Sequence, residues 1–177
     1  MSTTISAPKP ATFPTQRAKP DAAVAKASVG MGQIALLSPV GIGSAVLGSC
    51  VGLTLHDSKL GYAAMAHIVL PSSENRMGGG GKFADTAVDA MIEQLRRFGV
   101  EPERLTAKLA GGASMFESKG PFQIGKQNVE SVLGRLSALG IRTAGDHVGG
   151  TSGRRITFDC RTGRMTVEVI GAEPTVL

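Results

Sequence analysis

The stretch LGSCVGLTLHDSKLGYAAMAHIVLP, residues 47–71, carries the strongest fold signal in the chain, because it contains two apolar segments separated by a polar turn. The segment that ends at His56 and the segment that begins at Tyr62 are both rich in small and β-branched apolar residues, which indicates strands. Residues 57–60 (DSKL) and the glycine after them are typical of a tight turn. We therefore predict an antiparallel β-hairpin.

The hairpin contains one of the two cysteines and two of the three histidines of the chain, of which His67 is the one that the pairing can bring to Cys50. If residues 57–60 form a four-residue loop, His56 pairs with Gly61, and Cys50 lies directly opposite His67 on the same face. Their Cβ atoms would then be about 4.5–5.5 Å apart. An imidazole can take the proton of a thiol, and the sulfur can then attack a carbonyl group. The alternative, that both residues pack in a small-residue core, stays open.

Composition narrows the class of protein. The chain has 177 residues, 42% of them hydrophobic and 19% charged, as expected for one globular domain. Its 24 glycines and 4% aromatic residues indicate a core of small aliphatic side chains. Cys50 and Cys160 are too few for a disulfide framework and have no CxxC partner, which argues against structural zinc and favours a reducing compartment.

Membrane and nucleic-acid partners are not expected. No apolar run approaches the roughly 18 residues that cross a bilayer, and the N-terminus lacks the apolar segment of a signal peptide. We therefore expect a cytoplasmic protein without membrane insertion. The basic pairs at residues 96–97 and 154–155 have no aromatic platform beside them, which argues against nucleic-acid binding.

The glycine run at 78–81 lacks the serine or threonine of a phosphate loop, since Phe83 follows Lys82, and no cofactor is expected.

Two regions differ in composition. Residues 1–29 contain four prolines among Ala, Thr and Lys, without apolar periodicity, which predicts a disordered basic tail. Residues 30–177 are predicted to form a single domain. Because two helices cannot separate the many strands into regular βαβ units, the predicted fold class is α+β. The expected helices span 82–98 and 126–139, and the expected strands span 33–37, 50–56, 62–70, 105–110, 142–147, 154–160 and 164–170.

Apolar residues at helical spacing define the buried face expected for each helix. In the first helix these are Ala84, Ala87, Val88, Met91, Ile92 and Leu95. In the second helix they are Val129, Val132, Leu133 and Leu136, with Gly140 as the C-terminal stop.

Four segments in this order, LGSCVGLTLHD, MAHIVLP, GKFADTAVDAMIEQL and AGGASMFESKG, resemble the chemoreceptor glutamine deamidase family CheD over residues 31–170. The resemblance implies a three-layer α/β/β sandwich related to the catalytic domains of deamidating toxins. It also implies that Cys50 is the nucleophile and that His67 is the general base and acid. The third residue of the family site falls on Ser44, whose hydroxyl would orient the imidazole.

A bend in the chain is needed if Ser44 is to join this site. Six residues of unbroken strand span about 20 Å, so Ser44 could not otherwise contact a histidine that faces Cys50. We expect the bend at Gly48, which places Cys50 where a loop enters a strand. The N–H of Cys50 would then be free to bind an oxyanion.

The resemblance further implies the partners. The substrate would be glutamine side chains in the cytoplasmic helices of chemoreceptors, and a CheC-type phosphatase would be a possible second partner of a monomer. Residues 111–116 (GGASMF) would contribute Phe116 to the phosphatase-binding surface, unless that side chain packs inward. Two alternative functions stay open: hydrolysis of receptor glutamate methyl esters by the same thioester route, and a non-catalytic adaptor that binds receptor or phosphatase.

Overall fold

The computed structural model describes residues 25–114 and 123–177. Within these ranges the chain forms ten strands, two α-helices and a short 3-10 helix, Pro102–Arg104. The strands are β1 Lys26–Ser28, β2 Ile34–Leu37, β3 Ile42–Leu47, β4 Val51–Asp57, β5 Tyr62–Ile68, β6 Thr106–Gly111, β7 Arg142–Val148, β8 Arg154–Asp159, β9 Arg164–Val169 and β10 Thr175–Val176. The helices are α1 Ala84–Arg96 and α2 Ile124–Ala138.

The strands form two sheets, and the α+β class is confirmed. The hairpin sheet has the order β2-β5-β4-β6-β7, and the second sheet has the order β1-β3-β8-β9-β10. In the hairpin sheet β6 and β7 are parallel, and α2 connects them. No helix among the described residues is long and apolar enough to cross a membrane.

Two hydrophobic clusters pack on the two faces of the hairpin sheet. In β4, Val51, Leu53 and Leu55 belong to the cluster that includes α1 and α2. The alternate residues face the second sheet: a Cβ placed on Gly52 would collide with Ile156 of β8. Cys50 packs against this inter-sheet cluster. The site residues of the hairpin therefore lie between the sheets and away from the helices.

The predicted helices are confirmed, with one error in a buried face. All six apolar positions predicted for α1 are buried, and Gly140 follows α2 with a left-handed φ of 68°. On α2, Val132 and Leu136 are buried, but Leu133 is 37% exposed, so its predicted burial is wrong. The buried face instead continues through Asn128, which the apolar pattern overlooked because its side chain is polar.

All seven predicted strands are confirmed to within three residues at their ends, whereas β1, β3 and β10 were missed. β3 carries a weak signal because glycine and serine are its second and third residues. β1 has three residues and is held by parallel pairing with β3, a contact that local sequence does not encode. Because β1 lies within residues 1–29, the predicted disordered tail extends a few residues too far towards the C-terminus. Residues 1–24 lie outside the described residues.

The hairpin itself is confirmed, but its register differs from the prediction. Asp57 pairs with Tyr62, and Gly52, in place of Cys50, lies opposite His67. The loop still has four residues, but it starts one residue later, because Gly61 adopts a left-handed φ of 76° and belongs to the turn. The direct pairing of Cys50 with His67 is therefore wrong. A displacement of two residues keeps both on one face of the sheet.

Candidate active site

Cys50 lies at the end of a short bend between β3 and β4, as the sequence predicted. β3 ends at Leu47, and β4 begins at Val51. The bend is held by the chain that follows β6: the N–H of Gly112 donates to the Cys50 carbonyl at 2.8 Å, and the N–H of Ala113 donates to the Gly48 carbonyl at 2.9 Å. A side chain at position 111 would collide with the Cys50 carbonyl, so this close approach requires glycine there.

The thiol of Cys50 is half-buried. Burial raises the pKa of Cys50 above its usual range, and the residue's own backbone N–H opposes part of this shift. A raised pKa leaves little thiolate at neutral pH. A base must therefore accept the proton if the sulfur is to act as a nucleophile.

His67 is 5% exposed and is held by the chain between β1 and β2. Its N–H donates to the Gln33 carbonyl at 3.0 Å, and its carbonyl accepts from the N–H of Gly32 at 2.8 Å. Its ring Nδ1 lies 3.1 Å from the carbonyl oxygen of Val29. A carbonyl only accepts hydrogen bonds, so Nδ1 carries the proton, and Nε2 keeps the lone pair that a base requires.

Cys50 and His67 lie on the same face of the hairpin sheet but two positions apart along it. His67 pairs with Gly52 inside the ladder, and Cys50 stands two residues earlier, beyond the last pair, Val51 with Ile68. Diagonal neighbours of this kind are about 7–8 Å apart at Cα, somewhat less at Cβ. These two described side chains form no hydrogen bond with each other, so proton transfer requires a rotamer change or a bridging water.

Ser44 lies on β3, opposite Thr157 of β8. Its neighbours Gly43 and Ala45 face the inter-sheet cluster, so the Ser44 side chain points to the other face of the second sheet. Its main-chain carbonyl accepts the N–H of Val29 at 2.8 Å. Ser44 is thus connected to His67 through the backbone of Val29, and the role of its hydroxyl stays a prediction.

Phe116 lies outside the described residues, so its predicted place on a partner surface stays a prediction. The preceding residues are described. Gly111 and Gly112 have left-handed φ values of 113° and 66°, and Gly112 packs closely against α2 at Gly125 and Val129. The first half of the GGASMF segment therefore holds the Cys50 bend against α2.

A mostly apolar cavity of about 670 Å³ opens beside the Cys50 bend. Its wall includes Ser49, which precedes Cys50, and Val69, which follows His67 by two residues, together with the first turn of α2. Residues 148–150 also line the cavity, and Arg154 holds this segment by donating to the main-chain oxygens of His147 and Gly149. Arg154 is 4% exposed, so this half of the basic pair is a buried structural residue.

Two participants in the site were not predicted from the sequence. The Val29 carbonyl leaves no signal, because any residue has one. Asn128 does leave a signal, since it stands four and eight residues before Val132 and Leu136 on one helical stripe.

Among the described residues, no cluster of three or more His, Cys, Asp or Glu side chains is suited to hold a metal ion.

The fold and the site together define an α+β protein that presents a half-buried cysteine and a proton-accepting histidine at the end of one hairpin. The family model described as "CheD chemotactic sensory transduction" matches residues 69–169. The chain belongs to the CheD family.

Curated relatives agree with this assignment. The chain is 41% identical over 147 residues to the chemoreceptor glutamine deamidase CheD of Thermotoga maritima, a match that covers 82% of this chain and 93% of that protein. It is 38% identical over 149 residues to the protein of the same name from Halalkalibacterium halodurans, with coverage of 80% and 92%. A probable chemoreceptor glutamine deamidase CheD of Archaeoglobus fulgidus is 37% identical over 142 residues, with coverage of 79% and 90%.

Proposed function

We propose that this chain is a cysteine-dependent protein-glutamine deamidase that converts selected glutamine side chains of chemoreceptors to glutamate in chemotaxis. Membership of the CheD family and the names of its relatives support the substrate. The observation that carries the chemistry is the hydrogen bond from Nδ1 of His67 to the Val29 carbonyl. It leaves Nε2 as a base on the face of the sheet where Cys50 lies.

The reaction begins with the transfer of the Cys50 proton to Nε2 of His67 as sulfur attacks the carboxamide carbon. A tetrahedral adduct forms, and its oxyanion accepts a hydrogen bond from the Cys50 N–H, which has no main-chain acceptor among the described residues and lies beside the sulfur. The imidazolium then returns the proton to the leaving nitrogen, and the C–N bond breaks. The products of this half-reaction are ammonia and a thioester.

Water completes the cycle. His67 removes a proton from a water molecule, and the resulting hydroxide attacks the thioester carbonyl. The C–S bond breaks, the sulfur regains a proton from the imidazolium, and the substrate leaves as glutamate. His67 thus acts as base and then as acid in each half-reaction, and one water is consumed for each ammonia released.

The raised pKa of Cys50 favours proton transfer during attack over a preformed ion pair. A resting thiol is protected from oxidation, since oxidation follows thiolate character. Activation then depends on the substrate, which excludes water as it enters and aligns its carbonyl with the sulfur.

The cavity beside Ser49 is lined by the first turn of α2 and by neither Cys50 nor His67, so we assign to it apolar side chains of the receptor helix next to the target glutamine, which supports a receptor helix over free glutamine as substrate. We further propose that the protein acts in the cytoplasm as a monomer, and that a CheC-type phosphatase binds it through Phe116. The helix pair, hairpin sheet and second sheet support the three-layer α/β/β description, and a relation to deamidating toxin domains belongs to the same proposal.

The test is incubation of a receptor cytoplasmic fragment, in its amidated and its methylated form, with wild type, Cys50→Ala and His67→Ala. We expect ammonia release and a mass increase of about one dalton per modified glutamine with wild type, and losses of at least about 100-fold with either variant. Peptide mass spectrometry locates the modified positions.

Each other outcome identifies a different function. Methanol release from the methylated fragment without ammonia would identify the protein as the esterase. Binding of the fragment by wild type without any conversion would identify it as an adaptor. Full activity in Cys50→Ala would remove the cysteine mechanism while leaving the deamidase assignment intact.

A further inference from the structure

Asn128 is a polar residue on the buried face of α2. Its side chain is fully buried, and it continues the stripe formed by Val132 and Leu136. Burial of an amide is unfavourable unless its polar atoms are bonded. The Oδ1 atom of Asn128 has no hydrogen-bond partner among the described residues. An aliphatic side chain at this position would avoid that cost, so the presence of an amide calls for another reason.

The amide nitrogen of Asn128 supplies that reason. Nδ2 donates to the main-chain oxygen of Ser49 at 3.1 Å and to that of Val69 at 3.0 Å. Both partners only accept, so the opposite orientation of the amide would lose both hydrogen bonds and place three oxygens together. Ser49 directly precedes Cys50, and Val69 follows His67 by two residues. The Asn128 side chain therefore links the segment that carries Cys50 to the segment that carries His67.

This junction lies where the two strands separate. The last pair between β4 and β5 is Val51 with Ile68. One residue further on, the N–H of Val69 donates to the Lys82 carbonyl at 3.0 Å instead of continuing the ladder. Cys50 stands beyond the last pair, so the ladder does not fix its distance from His67. The amide of Asn128 bridges the two chains at this opening.

We propose that Asn128 is a positioning residue that sets the distance between the Cys50 thiol and the His67 imidazole by holding the Ser49 and Val69 carbonyls together. The inference rests on the cysteine and histidine pair of the proposed function. Without the amide, two carbonyl oxygens would face each other without a donor between them, and the Cys50 bend would move away from β5. The groups that transfer the proton would then be misaligned.

Carbamidomethylation of Cys50 by iodoacetamide at about pH 7 measures this alignment without a receptor substrate. Rates are compared for wild type, His67→Ala, Asn128→Ala and the double variant. We expect Asn128→Ala to slow alkylation about tenfold, and to have no further effect when His67 is already absent, because the two act as one unit. In the receptor assay the same variant should lower kcat and leave KM unchanged.

Ser131→Ala is the matched control. Ser131 lies on the same helix and donates to the Pro71 carbonyl at 2.8 Å, so its loss loosens α2 from the chain after β5 without touching Ser49. We expect its alkylation rate to stay within about twofold of wild type. If Asn128→Ala fails to fold by circular dichroism, Asn128→Leu, which keeps the shape of the side chain but loses its donor, takes its place.

The outcomes separate this inference from the proposed function. A wild-type alkylation rate in Asn128→Ala, an equal slowing in the presence and absence of His67, or an equal slowing in Ser131→Ala would each overturn the positioning role. If His67→Ala alone leaves the rate unchanged, no pair exists and the positioning role fails, while conversion of the receptor fragment by wild type still decides the proposed function. If the pair and its dependence on Asn128 are observed but the receptor fragment is not converted, only the proposed function fails.

Discussion

The two cysteines of this chain occupy opposite environments. Cys50 is half-buried at the end of a bend and directly follows Ser49, which lines an open cavity. Cys160 is 1% exposed, and its Sγ donates to the Gly61 carbonyl at 2.8 Å. Burial, with a smaller contribution from the charge of Asp159, raises the pKa of Cys160 from 9.0 to about 12. The two cysteines therefore differ in reactivity, because a reagent can reach only the Cys50 thiol and because burial favours the neutral form of the Cys160 thiol.

This difference predicts selective alkylation. With limiting iodoacetamide at about pH 7, we expect Cys50 to react at least about 100-fold faster than Cys160, because Cys160 has neither thiolate nor access. Quantitative peptide mass spectrometry of the folded protein measures both rates, and the urea-unfolded chain provides the control in which the two rates should converge. Comparable rates in the folded protein would contradict the assignment of Cys50 as the accessible thiol.

At the scale of elements, the orientation of His67 depends on an edge strand of the other sheet. β1 is only three residues long and pairs in parallel with β3. Val29, directly after it, donates its N–H to the Ser44 carbonyl and directs its own carbonyl to Nδ1 of His67. The tautomer of His67 is thus set by contacts between the two sheets, to which Ser44 contributes its main-chain carbonyl.

Val29 and Ser44 variants test this geometry. Val29→Pro removes the N–H that anchors the segment, so the carbonyl should shift and turnover should fall by about 10- to 100-fold. Val29→Ala is the control that keeps the N–H, and we expect it to retain most activity.

Because the Ser44 side chain faces away from His67, Ser44→Ala should change turnover less than about threefold. A larger loss would restore the predicted role of the Ser44 hydroxyl in the deamidation assay.

At the scale of the whole molecule, the inter-sheet core extends from the candidate site to Cys160, and burial there makes stability depend on pH. The unfolded chain loses the Cys160 proton above pH 9.0, whereas the folded chain keeps it up to about 12. The unfolded state therefore binds fewer protons in this interval. The stability that the buried thiol contributes is complete below pH 9.0 and is lost as the pH rises towards 12.

Cys160→Ser tests this linkage, because a serine hydroxyl can keep the hydrogen bond to Gly61 but does not ionise. We expect the urea midpoint of wild type to fall more steeply than that of Cys160→Ser between about pH 8 and about pH 10.5. Parallel slopes for the two proteins would show that Cys160 does not contribute to alkaline unfolding.

Much of the fold followed from neighbouring residues. The apolar stripe of α1, the strands of the hairpin and the bend at Gly48 all depend on side chains within a few positions of one another. The register of the β4–β5 hairpin was harder to predict, because it depended on whether Gly61 ended the turn or began the strand. That choice is made by a left-handed backbone conformation, which sequence suggests but does not require.

The hairpin, the two helices, the α+β class and the common face of Cys50 and His67 could be predicted from local sequence, because alternation along strands and turn chemistry are local properties. Three features depend on the packed fold: the two-residue offset between Cys50 and His67, the hydrogen bond between His67 and the Val29 carbonyl, and the bridge made by Asn128. These contacts join residues 38 to 79 positions apart. They exist only after the two sheets and α2 have packed together, since nothing near each residue in the chain specifies its partner.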